Sequence, residues 1–151
     1  TTPASAVAGT ASTSGSGAVR DAAAQLGPKQ LVAVLERAGF RGEGLRTAWA
    51  LAMRESHGRP GALSGTNPNG TRDHGLFQLN DIHVGRAIAA DDLYSADKQA
   101  QAVLRMTKGG TDWSSWGLGH SGWAGHLERE QPAFYARINA SFRAWYDRFP
   151  Q

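Results

Sequence analysis

AMRESHGRPGAL, residues 52–63, and TRDHGLFQLN, residues 71–80, decide how this chain is read. The first stretch closes a helix. Leu45, Ala48, Trp49, Ala52 and Ser56 recur at the i, i+3, i+4, i+7 spacing of an amphipathic helix. Gly58 and then Pro60 stop the pattern, so a helix is predicted over about Leu45–His57. The second stretch follows a run of turn formers that includes NPNG, residues 67–70. It alternates apolar and polar residues from Leu76 to Asn80, which predicts a short strand. Gly75 permits the bend into that strand.

Glu55 falls in the last turn of the predicted helix. At 100° per residue it lies roughly 80° from the centre of the apolar stripe, on the edge of the buried face. The carboxyl end of a helix dipole disfavours a further negative charge there, and partial burial acts in the same sense. Both effects raise the pKa and favour the protonated form, the state that a general acid requires. Position alone leaves open the plainer reading of a solvated helical glutamate.

Outward from this centre, three more helices are predicted. One runs over Pro28–Ala38, with Pro28 as first helical residue, Leu31, Val32, Leu35 and Ala38 as its apolar face, and Gly39 as its stop. Another covers Ala96–Thr107, ended by Gly109 and Gly110. The last spans Pro132–Phe149, with Phe134, Ile138, Phe142, Trp145 and Phe149 along one stripe. Residues Thr1 to Val19 carry no charge and little apolar surface. They read as a flexible linker or tail, leaving 20–151 as one domain. The order of elements is helices, a small β-hairpin, then helices: an α+β, mostly helical class.

Composition narrows the function classes. The 151 residues suffice for a single core. No apolar run is long enough to span a bilayer, and no signal peptide is recognisable. The absence of an initiator Met suggests a processed form or an excised piece. Zero cysteines exclude disulfides, zinc thiolate sites and thiol nucleophiles. The net charge is +3 and the pI about 9.7, but the 16 basic residues are scattered, which argues against a nucleic-acid arm. Five histidines invite a metal reading. Without HExxH or other tight ligand spacing, neither metal nor cofactor is expected. The absence of G-x-S-x-G argues against a serine hydrolase.

With Glu55–Ser56 closing a helix and Asp73 standing 18 residues on in DHGLFQLN, the pairing resembles the active-site region of the lysozyme-like superfamily. Animal-type lysozymes, a subset of bacterial lytic transglycosylases and phage muralytic domains share it. A second stretch, DDLYSADKQAQAVLRMTKGGTDWSSW, is similar to the matching stretch of animal-type lysozymes, with Asp92 and Trp113 lying 21 positions apart. GHSGW, residues 119–123, is similar to a YNSG-like cleft segment, with His120 in place of the aromatic. The likeness covers about Leu45–Trp123. Lack of cysteines departs from the disulfide-stapled animal enzymes and points toward bacterial or phage relatives.

The resemblance implies a lysozyme-like fold with a hairpin beside a cleft, and cleavage of the β-1,4 bond between N-acetylmuramic acid and N-acetylglucosamine. Glu55 and Asp73 become the catalytic carboxyls, by the two-carboxylate logic known from lysozyme itself. Trp113 would be the apolar wall against Glu55, with Trp116 as plain core. Ser56, Gln78 and Asn80 would bind substrate, the last two because they share a strand face opposite Phe77 and Leu79. Asp73 has a second reading, as a residue that stabilises the turn. Two outcomes also stay open: hydrolysis, or closure of a 1,6-anhydro ring with Glu55 serving first as acid and then as base. The partner implied is a peptidoglycan glycan strand, met outside the cell or in the envelope by a monomer. A non-catalytic glycan-binding or phage-tail domain is the alternative.

Overall fold

The computed structural model describes residues 24–151, so the predicted tail over 1–19 lies outside the described residues. Five α-helices are formed among them: α1 (Pro28–Ala38), α2 (Gly42–Ser56), α3 (Ala96–Met106), α4 (Gly122–Glu130) and α5 (Pro132–Tyr146). A two-stranded antiparallel sheet, β1 (Asp73–His74) with β2 (Leu79–Asn80), stands between α2 and α3.

Helix α1 has the predicted bounds. Pro28 opens it, the Gln30 side chain accepts from the Gly27 amide at 2.7 Å, and Gly39 ends it at φ 119°. Its buried face is Leu31, Val34 and Leu35, with Val34 taking the place expected of Val32.

Helix α2 is the centre of the molecule and departs from the one-sided helix predicted. It starts at Gly42, earlier than Leu45, and every residue from Thr47 to Ser56 is buried. The reason is compositional. From Ala48 to Met53 the sequence is apolar at six consecutive positions, so no polar face exists to turn to water. Helices α1 and α5 pack on it. Trp49 donates its indole N–H to the Pro28 carbonyl at 3.0 Å, and its ring meets Trp145 and Phe149 edge-on. Glu55 therefore lies inside a fully covered segment, rather than at the margin of a stripe.

The β region is more broken than expected. The run Leu76–Asn80 forms a strand only at Leu79–Asn80, because residues 75–78 make a tight turn closed by the Gln78 amide on the Gly75 carbonyl at 3.1 Å. Gly75 has φ 80°, and a Cβ there would stand 2.4 Å from the Gln99 side chain and 2.7 Å from the Leu93 carbonyl. Gln99, on α3, explains this closeness. Its amide accepts from Phe77 N–H at 2.9 Å and donates to the carbonyls of His74 and Leu93, pinning the turn to α3.

Helix α4 was not legible as a helix. It holds Gly122 and Gly125 and has few apolar residues in register, so propensity and periodicity are both weak. Helix α5 stops at Tyr146, short of the predicted Phe149, which folds back onto Trp49.

Candidate active site

Glu55 and Asp73 are both fully buried, at 0% exposure. Glu55 is brought to the site by the last turn of α2, and Asp73 by the first residue of β1. Their surroundings differ. One oxygen of Glu55, Oε2, accepts from two nitrogens of Arg54, Nε at 3.1 Å and Nη2 at 2.7 Å. The other, Oε1, is buried and has no hydrogen-bond partner. Burial drives the Glu55 pKa up from 4.5 to about 7; the Arg54 charge and hydrogen bonds pull down, and the Asp73 charge adds a push upward. The two carboxyls thus share one electrostatic neighbourhood.

Asp73 is held by amides. Asn80 Nδ2 donates to Oδ1 at 2.8 Å, and Asn67 Nδ2 donates to Oδ2 at 3.3 Å. The Asp73 backbone is paired with Ser64 on one side and Asn80 on the other, so the strand fixes where the carboxyl points.

The residues expected to bind substrate are placed differently from the prediction. Ser56 is buried, and its hydroxyl donates to the carbonyls of Ala52 and Leu76 at 3.0 and 2.8 Å, joining the end of α2 to the turn. Asn80 is committed on both ends: Nδ2 donates to Asp73 and Thr71, and Oδ1 accepts from the Ile82 amide, capping a 3-10 turn. Gln78 is not on a strand face with it. At φ 53° it belongs to the turn, is buried, and donates to the Gly75 and Ala62 carbonyls, while its Oε1 is without a partner. The shared-face argument fails because a turn has no period of two.

Trp113 and Trp116 are both buried and meet edge-on at 5.7 Å. The Trp113 ring stacks on Phe40 at 5.9 Å and donates to the Gly110 carbonyl. Trp116, expected as plain core, donates its indole N–H to the Phe77 carbonyl, and its own carbonyl accepts from Arg54 Nη2 at 2.8 Å. It is Trp116 that ties the turn to the acid's neighbour.

Sequence reasoning missed Arg54 and Asn67. A signal for Arg54 was present: it follows six apolar positions in a helix with no polar face, where a charge must find partners. Nothing local marks Asn67, since it sits in a turn-forming run and contacts Asp73 only through the hairpin.

Among the described residues no group of three or more His, Asp or Glu is placed to hold a metal, and no helix is long and apolar enough to cross a membrane. His74 is engaged by Tyr94 and Asp81, and His120 by Glu128.

Comparison with known proteins agrees with this geometry. The profile of the lysozyme-like domain family matches residues 32–118, from α1 through the Trp113–Trp116 turn. A lysozyme of Galleria mellonella is 46% identical over 115 residues, which cover 67% of this chain and 88% of that protein. Lysozyme D of Drosophila melanogaster is 34% identical over 94 residues, covering 50% of this chain and 64% of that protein. A lysozyme of Antheraea mylitta is 28% identical over 116 residues, 68% of this chain and 90% of the other. With the match extending over more than half its length and enclosing both buried carboxyls, the chain belongs to the lysozyme-like domain family.

Proposed function

We propose that this chain cleaves the β-1,4 bond between N-acetylmuramic acid and N-acetylglucosamine in peptidoglycan, with Glu55 as proton donor and Asp73 as the second carboxylate. The observation that carries the reading is the unlike setting of two buried carboxyls. Glu55 is pushed toward the protonated form by burial. Asp73 has amide donors on both oxygens, Asn80 on one and Asn67 on the other.

The chemistry follows from those two settings. The leaving glycosidic oxygen takes the Glu55 proton as the bond breaks, and positive charge develops on the sugar ring. Asp73 stands fixed in the sheet to stabilise that charge. The bond is completed either by water, which Glu55 then deprotonates, or by the sugar's own C6 hydroxyl. Mass spectrometry of the glycan ends distinguishes the two: reducing muramic ends indicate hydrolysis, and 1,6-anhydro ends indicate transglycosylation. Because Glu55 is covered in the free molecule, the glycan must displace its cover to reach Oε1.

The substrate sets the location, outside the cell or within the envelope. The chain is expected to act as a monomer, since both carboxyls come from one chain. A glycan-binding domain without catalysis would bind purified cell walls and leave their turbidity unchanged. The proposal predicts clearing by the wild-type chain, and its absence with folded protein would refute it.

A further inference from the structure

Arg54 precedes Glu55 in a helix, where neighbouring side chains diverge by about 100° and do not ordinarily meet. Here they meet because Arg54 is held from elsewhere. Its Nη2 donates to the Trp116 carbonyl at 2.8 Å and its Nη1 to the Ile138 carbonyl on α5 at 3.3 Å. The guanidinium is 4% exposed, and its planar fork places Nε and Nη2 together on a single carboxyl oxygen, Oε2. Two carbonyls on separate elements therefore fix the position of the charge, whether or not Glu55 is ionised.

We propose that Arg54 is a positioning residue of this site: it claims Oε2, so that the proton to be transferred resides on Oε1, and it lets the buried acid ionise as that proton leaves. This rests on Glu55 being the proton donor, and deepens that reading.

The argument is one of two opposing needs. A buried glutamate without a cation holds its proton too firmly to be a good donor, since the charged form it must become has lost its water. Both hydrolysis and ring closure require the same carboxyl to ionise and then take a proton back. The charged groups acting on Glu55 are Arg54 from its own helix and Asp73 from the hairpin, and they push in opposite directions. Removing Arg54 leaves burial and Asp73 acting together, both against ionisation. Oε1, free of protein partners, is the oxygen left for the sugar.

The test is the pH dependence of cleavage of a soluble peptidoglycan oligosaccharide by wild type, Arg54→Met and Arg54→Lys, with Glu55→Gln alongside. With Arg54→Met, the alkaline limb of the kcat profile is expected to move upward by about one to three pH units. Its kcat near neutrality falls, while KM stays within about twofold because Arg54 meets protein groups and not sugar. With Arg54→Lys, the cation is kept and the two-nitrogen grip is lost, so the limb stays near the wild-type position while kcat falls. An unmoved limb in folded Arg54→Met would overturn the proposal, as would wild-type kcat in both variants. Should Arg54→Met not fold, Arg54→Lys decides: a limb displaced as far as a unit, or an undiminished kcat, contradicts it. Inactivity of Glu55→Gln with these failures would reject Arg54's role alone, whereas an active Glu55→Gln would reject the parent reading.

Discussion

The end of α2 and the first strand of the hairpin bury one carboxyl each, and bury them equally, yet surround them differently. At the helix end a cation, Arg54, takes one oxygen and the other has no hydrogen-bond partner. On the strand, neutral amides reach both oxygens. The difference teaches that equal burial does not give two carboxyls the same setting. What decides the setting is which hydrogen-bond donors the local fold can bring. The carboxyl end of a helix supplies no spare amides, because its N–H groups are already bonded within the helix. A hairpin collects the side chains of turn residues such as Asn67, along with cross-strand neighbours such as Asn80.

Substitutions can break that contrast. Glu55→Gln keeps the shape and removes the proton, and cell-wall clearing should fall by about 10²–10⁴-fold, the usual contribution of a general acid. Circular dichroism should show an unchanged fold. Asp73→Asn keeps the amide bonds in part and removes the charge. Loss on the order of 10²-fold in kcat is expected, as for removal of one preorganised electrostatic partner. A loss as deep as that of Glu55→Gln would make the two carboxyls equal, and a loss under threefold would leave Asp73 as a turn residue.

Stability measurements sharpen the same contrast. Gly75→Ala forces a side chain into left-handed backbone against Gln99 and should cost about 1–3 kcal/mol in denaturant unfolding. Asn80→Ala removes a donor from Asp73 and a cap from the 3-10 turn, with an expected cost of about 1–3 kcal/mol.

The last test is a pH dependence of stability. A folded-state pKa raised from 4.5 to about 7 means that the folded form binds the proton more tightly than the unfolded chain. That contribution to stability is present in full below pH 4.5 and is lost as pH rises through about 7, roughly 3 kcal/mol in all. Glu55→Gln cannot titrate. Its Tm should therefore gain on wild type steadily between pH 5 and 8, and a constant difference would show that the carboxyl has no raised pKa.

The sequence shows the fold's outline where local chemistry decides it. Pro28 and Gly39 bracket α1, and both ends of that helix match the expectation. The motifs around Glu55 and Asp73 and the turn formers between them are likewise legible, and the structure buries both carboxyls. Legibility stops where partners come from distant segments. The turn at 75–78 is held by Gln99, 21 positions or more downstream, so a local pattern reads as a strand. Helix α4 forms despite two glycines, because packing of Ala124, Gly125 and Leu127 outweighs propensity. The burial of Ser56 and Asn80 and their bonds within the protein were not legible either. Their hydroxyl and amide were claimed by carbonyls and side chains that no nearby residue announces.

The most direct measurement is a carbon-13 NMR titration of the Glu55 side-chain carboxyl, assigned by the signal that Glu55→Gln removes. The account predicts a midpoint near 7 for the wild-type chain. A midpoint near 4.5, that of a solvated glutamate, would contradict it.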